Sequence, residues 1–102
     1  MFTQLGKVIF VGSVRSGINS QTGKTWQAQE FVIQTLERYP IRIAWRIFGE
    51  ENISKIAIRE GETINVVGYP ESHEFNGSWY TEMRCTDVLD GNKSRLVRPE
   101  IY

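Results

Sequence analysis

Apolar residues recur along the chain in short runs that are separated by Gly, Asn and Ser. The runs are rich in Val, Ile, Thr and aromatic residues, which is typical of β-strands. This pattern predicts five strands, at residues 5–15, 26–35, 41–48, 63–72 and 78–89. Alternation is clearest in the third strand, IRIAWRIF, because every second side chain there is large and apolar. That strand is predicted to turn Ile41, Ile43, Trp45 and Ile47 into a core and Arg42, Ala44, Arg46 and Phe48 outward.

Three other segments are not predicted as strands. Residues 16–24 read as a polar loop, and a Gly at position 12 suits a bend in the strand before it. In residues 49–58, apolar positions 53, 56 and 57 have helical spacing, and acidic residues stand near the start, where the helix dipole favours them. Residues 90–102 are expected to be a mobile tail, so the predicted domain covers residues 1–89.

The dipeptide Asn76-Gly77 is a strong signal for a two-residue hairpin turn. Such a turn places Glu71 opposite Glu82, an unfavourable pair of like charges that a bulge could shift. Alternation then predicts an inward-facing set on this hairpin, made up of Ile64, Val66, Gly68, Pro70, Trp79, Met83 and Cys85. We therefore expect Trp79, like Trp45, to be a core residue, while Tyr80 lies on the outer wall and Phe75 projects from the tip.

Five strands with one short helix between the third and fourth are the order of the OB-fold, a closed Greek-key barrel in the all-β class. Ligands of this fold use the second and third strands and the loops that join strands 1 to 2 and 4 to 5. Lys24, Trp26, Arg42, Arg46, Phe48 and Phe75 fall on that surface, and Arg84 lies near it.

Composition limits the kinds of ligand and reaction that the chain can be expected to support. Lys plus Arg equals Asp plus Glu, at 12 each, so any affinity for phosphate must come from local clusters of cations. No apolar run approaches the length of a membrane span and the N-terminus lacks a secretory pattern, so we expect a cytoplasmic protein without a membrane partner. One His and one Cys cannot form a four-ligand zinc site, and neither has the companions of a catalytic nucleophile. We therefore predict no enzymatic activity, no cofactor and no metal.

From residue 8 to residue 89 the chain resembles the bacterial single-stranded DNA-binding protein family. It looks closest to a short, uncharacterised group of OB-fold relatives from Bacteroidetes-type bacteria. The resemblance rests on VIFVGSV at 8–14, EFVIQT at 30–35, RIFG at 46–49, REGETINVVG at 59–68 and WYTEM at 79–83. It implies that bases stack on aromatic residues at three positions, which match Tyr39, Phe48 and Phe75 here. The family typically ends in an acidic tail that recruits replication proteins, whereas this chain ends in the basic NKSRLVRPEIY.

The predicted function is therefore non-catalytic binding of single-stranded DNA in replication, repair or recombination, with RNA left open. The predicted binding residues are Lys24, Trp26, Tyr39, Arg42, Arg46, Phe48, Phe75 and Arg84. A homo-oligomer, dimer or tetramer, would raise the affinity of weakly binding barrels. The alternative is an OB-fold interaction module like the short dimeric primosomal proteins, in which Phe48, Phe75 and the arginine strip are buried against a protein.

Overall fold

This computed structural model describes residues 1–96 of the chain, which contain seven β-strands and one short helix. The strands are β1 (Phe2–Val11), β2 (Arg15–Ile18), β3 (Thr25–Thr35), β4 (Arg42–Phe48), β5 (Thr63–Phe75), β6 (Ser78–Asp90) and β7 (Lys93–Ser94). The helix, α1 (Glu50–Ile56), lies between β4 and β5, as predicted. None of the helices in residues 1–96 is both long enough and apolar enough to span a bilayer.

Five of the strands close into a barrel. The sheet order is β1-β5-β6-β4-β3-β2, and β1 also pairs with β3, so β1, β5, β6, β4 and β3 form a ring. The β4–β6 contact is parallel, and the other pairings in the ring are antiparallel. The predicted fold class, a mainly β OB-fold barrel with one short helix, is confirmed.

The first predicted strand is wrong in its boundaries. Residues 12–14 belong to no strand, and the chain then continues as β2, which pairs with β3 from Arg15 opposite Ala28 to Ile18 opposite Thr25. The predicted loop at 16–24 is therefore shortened to 19–24, where the Asn19 side chain accepts a hydrogen bond from the Gln21 N–H at 2.9 Å. Gly17 of β2 looked like a loop residue in the sequence, but strand pairing overrides that local preference.

The register of the β5–β6 hairpin is confirmed. Asn76 and Gly77 both have positive φ angles, 50° and 81°, as a type I′ turn requires. The two strands pair from Phe75 opposite Ser78 to Gly68 opposite Cys85, and the like charges of Glu71 and Glu82 do face each other. A register shift follows beyond this stretch, between Val67 and Gly68.

The core fills the barrel and contains Trp45 at 1% exposure. The position of Trp45 depends on Gly68, because a Cβ on Gly68 would lie 2.7 Å from the indole ring and would overlap the Arg84 carbonyl oxygen. Phe31 and Ile33 of β3 are fully buried. The buried apolar residues are Val8, Phe31, Ile33, Trp45, Ile47, Ile56, Ile58, Ile64, Val66, Cys85 and Val88.

The prediction that Trp79 belongs to the core is wrong, because 68% of this residue is exposed. Pairing between β5 and β1 ends at Gly68, and pairing between β6 and β4 begins at Met83. Residues 69–82 therefore form a two-stranded arm that no third strand supports. Alternation gave the correct face for Trp79, but beyond the barrel that face has nothing to pack against, and Pro70 is exposed for the same reason. Ile41, also predicted as core, precedes β4 and is exposed.

Arg95 fastens the chain back onto the barrel after β7. Its guanidinium donates hydrogen bonds to the Ile56 carbonyl at 2.8 Å and to Asp90 at 2.9 and 3.0 Å, and it forms an ion pair with Glu62. Leu96 packs against the core. The predicted tail was drawn from residue 90, whereas the strand pairing reaches Ser94, and residues 97–102 lie outside the described part of the chain.

The same contacts lower the pKa values of two carboxylates. Partial burial acts to raise the pKa of Glu62, but hydrogen bonds from Arg95 and from the Arg59 N–H outweigh it, so the pKa is lowered overall. The hydrogen bond from Arg95 also lowers the pKa of Asp90. Both groups bind protons more weakly in the folded state, so their contribution to stability is complete above about pH 4.5 and is lost as the pH falls through the folded-state pKa values.

We expect Arg95→Met to lower the free energy of unfolding at neutral pH and to flatten its decline in acid, because Glu62 and Asp90 lose their partner. Denaturant unfolding at pH 7, 5, 4 and 3 measures both effects. Lys7→Met is the control, since no carboxylate within residues 1–96 lies at ion-pair distance from Lys7. If wild type and Arg95→Met lose stability equally in acid, Arg95 is not the cause of the lowered pKa values of Glu62 and Asp90.

A second prediction concerns the two tryptophans. Trp79→Ser should change the free energy of unfolding by no more than about 0.5 kcal/mol, as is usual for an exposed site. Trp45→Ala should cost about 3–5 kcal/mol or prevent folding, because it empties the centre of the core. Urea denaturation followed by circular dichroism compares the variants. If Trp79→Ser lowered the free energy of unfolding by more than about 2 kcal/mol, Trp79 would have to be a core residue.

Candidate nucleic-acid interface

The outer faces of β3 and β4 form one continuous surface with two adjoining grooves. The register sets Ala28 opposite Phe48, Glu30 opposite Arg46 and Gln34 opposite Arg42. One groove, of about 350 Å³, is called the Trp26 groove and is lined by Arg15, Trp26, Ala28, Glu30, Arg46 and Phe48. The other, of about 490 Å³, is called the Tyr80 groove and includes Glu30, Arg42, Arg46, His73, Tyr80 and Glu82. Glu30 and Arg46 line both, so the grooves meet at this pair.

Trp26 lies at one end of the surface and is 45% exposed. Its strand partner is Gly17 of β2, and a Cβ on Gly17 would lie only 2.6 Å from the indole ring. The ring therefore rests against the backbone of β2. This contact holds the indole in place while leaving much of it available to a ligand.

Phe48 separates the Trp26 groove from the barrel end and is half-buried. The guanidinium carbon of Arg84 lies 4.2 Å from the centroid of its ring, in cation–π geometry. A separate cleft, whose lining includes Phe48, Tyr69, Arg84 and Leu96, lies on the Arg84 side of the ring. Trp26 lines the groove on the other side. One ring face is thus occupied by a cation, and the Trp26 groove is the side from which a ligand can reach Phe48.

Two arginines neutralise the carboxylates that face each other across the hairpin. Arg84 lies 3.2 Å from Glu71 and 3.3 Å from Glu82, and Arg46 donates to Glu82 at 3.3 Å. Arg46 also approaches Glu30 at 3.8 Å. These contacts explain how the Glu71–Glu82 pairing persists without a register slip at that point.

Arg84 is held as a cation. Partial burial acts to lower its pKa, but a hydrogen bond with Tyr69 and the charges of Glu71 and Glu82 outweigh it, so the pKa is raised overall. Arg84 was predicted as a binding residue. Its guanidinium lies beside the Phe48 ring and two carboxylates, where it braces the site.

The remaining predicted residues are spread more widely. Arg42 lines the Tyr80 groove and lies 3.4 Å from the Gln34 side-chain oxygen. Lys24 is exposed at the end of the 19–24 loop, Tyr39 is exposed between β3 and β4 beside Arg38, and Phe75 is 66% exposed at the arm tip. Lys24, Tyr39 and Phe75 line neither groove. The structure thus groups Trp26, Arg46 and Phe48 in one groove and Arg42 and Arg46 in the other.

Sequence reasoning did not assign Arg15, Glu30 or Tyr80 to the site. Glu30 could have been found from alternation, because it precedes the buried Phe31 and must face outward. Tyr80 was placed on the outer wall but was not connected with Arg42 and Arg46. Arg15 carried no local signal, since its place depends on the pairing of β2 with Ala28.

Two observations concern metal-binding and nucleophilic side chains. Within residues 1–96, His, Cys, Asp and Glu form no cluster of three or more that could hold a metal ion. Burial raises the pKa of the Cys85 thiol to about 12, so it stays protonated at neutral pH and is a poor nucleophile.

Three comparisons connect this geometry with known proteins. The family model described as a domain of unknown function, DUF3127, matches residues 5–88. No curated protein matches the sequence. Among solved structures, the SSB domain of a Synechococcus sp. protein has a TM-score of 0.57 at 16% identity, covering 85% of this chain and 90% of that one. The second single-stranded DNA-binding protein of Mycobacterium smegmatis has a TM-score of 0.57 at 18% identity, covering 85% and 83%.

These likenesses show that the chain shares the fold of SSB domains. The predicted resemblance to SSB-like OB-fold proteins is thereby confirmed for the fold. The closer grouping with Bacteroidetes-type relatives stays a prediction.

Proposed function

This chain belongs to the DUF3127 family, and we propose that it binds single-stranded DNA without catalysis, across the outer faces of β3 and β4. The observation that carries the proposal is the Trp26 groove, in which two accessible aromatic rings, Trp26 and Phe48, stand beside the cations Arg15 and Arg46. Flat faces for bases and cations for phosphates are what sequence-tolerant binding to a single strand requires.

The strand runs from the Trp26 groove past Arg46 into the Tyr80 groove. Each base stacked on an aromatic ring contributes about 1–3 kcal/mol, and Tyr80 supplies a further ring beyond Arg46. The arm borders the Tyr80 groove through His73 and Tyr80, so Phe75 at its tip takes a base farther along the strand. This path supports a role in replication, repair or recombination, the processes that expose single strands.

Electrostatic attraction in this binding comes from a small number of cations. Arg84 is occupied by Glu71 and Glu82, which leaves Arg15, Arg42 and Arg46 as the cations lining the grooves. About three phosphate contacts correspond to a slope of about −2 in a plot of log affinity against log salt concentration. The equal numbers of cationic and anionic residues add no long-range attraction.

Trp26→Leu and Arg46→Gln should each weaken binding of a fluorescein-labelled, mixed-sequence 15-nucleotide DNA on the order of tenfold. Fluorescence anisotropy is the measurement, because it does not depend on the mutated tryptophan. Arg46→Gln should also reduce the salt slope by about 0.7, whereas Trp26→Leu should leave it unchanged. Arg59→Gln is the control, since it removes the same charge from an exposed residue that lines neither groove. An RNA strand of the same sequence tests for discrimination at the sugar.

Glu82→Gln should strengthen binding, on the order of three- to fivefold, because Arg46 is then released from a carboxylate that competes with phosphate. Glu60→Gln, in an exposed turn, is the matched control and should change the affinity less than twofold. Weaker binding by Glu82→Gln would mean that the carboxylate positions Arg46 for DNA rather than competing with it.

The arm favours a second candidate function, an interaction or assembly module. Phe75, Trp79 and Tyr80 are all exposed on it, and both of its strand edges are free within residues 1–96. Exposed aromatic residues and open strand edges are features of surfaces that bind proteins. This alternative, with a dimer or tetramer as its simplest form, gains support if no oligonucleotide binds and light scattering after size exclusion gives a mass above 11.8 kDa.

A further inference from the structure

We propose that the Trp26 groove selects among bases, and that the Glu30 carboxylate makes it favour bases with an exocyclic amino group, cytosine above uracil or thymine. The inference rests on the proposed function, because it names the chemistry that the same groove would recognise.

The shape of the groove fits a single flat ring. Ala28 forms its floor, directly opposite Phe48 in the β3–β4 ladder, and Trp26 stands two residues earlier on the same face of β3. A small side chain thus lies between two aromatic ones. The Gly17 backbone supports the indole from behind, and Arg84 covers the far face of Phe48. A base entering the groove therefore meets one exposed face of each ring.

Glu30 is the anionic acceptor beside this slot. Glu30 is the next outward residue of β3 after Ala28, and 46% of its side chain is exposed. Its nearest cation, Arg46, lies at 3.8 Å, which is beyond hydrogen-bond distance, and no side chain of residues 1–96 donates a hydrogen bond to it. Gln29, which also lines the groove, donates one amide N–H to the Gly12 carbonyl at 3.0 Å, so its oxygen and its second N–H remain without a protein partner in residues 1–96.

The cations of the groove are suited to the backbone of the strand rather than to the base edge. Arg46 already donates to Glu82 at 3.3 Å on the side toward the Tyr80 groove, and Arg15 enters from β2. Arg15 of β2 stands opposite Ala28 and Arg46 of β4 stands opposite Glu30, and each takes a phosphate on its own side of a bound base. The edge of the base is left to face Glu30.

Acceptors select for donors. The N4 amino group of cytosine can donate to a carboxylate, whereas uracil and thymine present a carbonyl oxygen at the same position and would face Glu30 lone pair to lone pair. Cytosine and uracil otherwise share one pyrimidine ring, so comparing them isolates this single group. One such hydrogen bond corresponds to a discrimination on the order of fivefold.

The test measures binding of fluorescein-labelled oligo-dC, oligo-dU and oligo-dT of equal length at pH 8, by anisotropy, to the full chain. Wild type should bind oligo-dC on the order of fivefold more tightly than oligo-dU. In Glu30→Gln the ratio should fall to near one, because an amide can donate to O4 as well as accept from N4. Glu60→Gln removes the same charge outside the groove and should keep the wild-type ratio.

The outcomes separate the two proposals. Equal binding of oligo-dC and oligo-dU by wild type, or a ratio that Glu30→Gln leaves unchanged, overturns the role of Glu30 and leaves DNA binding standing. Absence of binding to all three strands overturns the proposed function and this inference with it. Circular dichroism of Glu30→Gln should match wild type, since Glu30 is exposed and its replacement leaves the core intact.

Discussion

The packing of Trp45 against Gly68 is the contact on which the rest of the structure depends. Trp45 belongs to β4, Gly68 to β5, and Met83, the strand partner of Trp45, to β6, so three strands of the barrel meet there. With Trp45 fixed inward, its neighbours Ala44 and Arg46 must face outward. The pairing of β4 with β3 then brings Arg46 beside Glu30 and Phe48 beside Ala28. The proposed binding surface is therefore the outer side of the same contact that closes the barrel.

The carboxylates of this surface have two opposing effects. Glu71 and Glu82 face each other across the hairpin, and the guanidiniums of Arg46 and Arg84 make that arrangement tolerable. The same ion pairs reduce the positive charge that a phosphate would meet. A strand bound here would gain more from stacking than from ion pairing, which differs from proteins whose binding is dominated by counterion release. Weak electrostatic attraction leaves room for a contact to a base edge to affect which sequence binds.

How well the sequence predicted each feature depended on how local its cause was. The hairpin register followed from Asn76-Gly77, because a two-residue turn fixes every pair that follows until a bulge intervenes. Trp45 was predicted correctly because its strand lies wholly within the barrel. Trp79 has the same alternation but lies beyond the last supporting strand, and no local pattern shows where a neighbouring strand ends. The grouping of Arg15 with Trp26 likewise depends on the pairing of β2 with β3, which a Gly- and Ser-containing segment did not reveal.

The division of the aromatic residues between barrel and arm leads to a division of roles. Trp26 and Phe48 stand on strands that are paired on both sides and are braced by Gly17 and Arg84. Phe75 stands at the end of a two-stranded arm, and such a hairpin has little stability of its own. A ligand at Phe75 must therefore meet the cost of ordering the arm, whereas a base in the Trp26 groove enters a site that the barrel already holds in place. Preorganisation favours selectivity, so discrimination between bases belongs to the groove, and the arm adds contact area to whatever the groove has already bound.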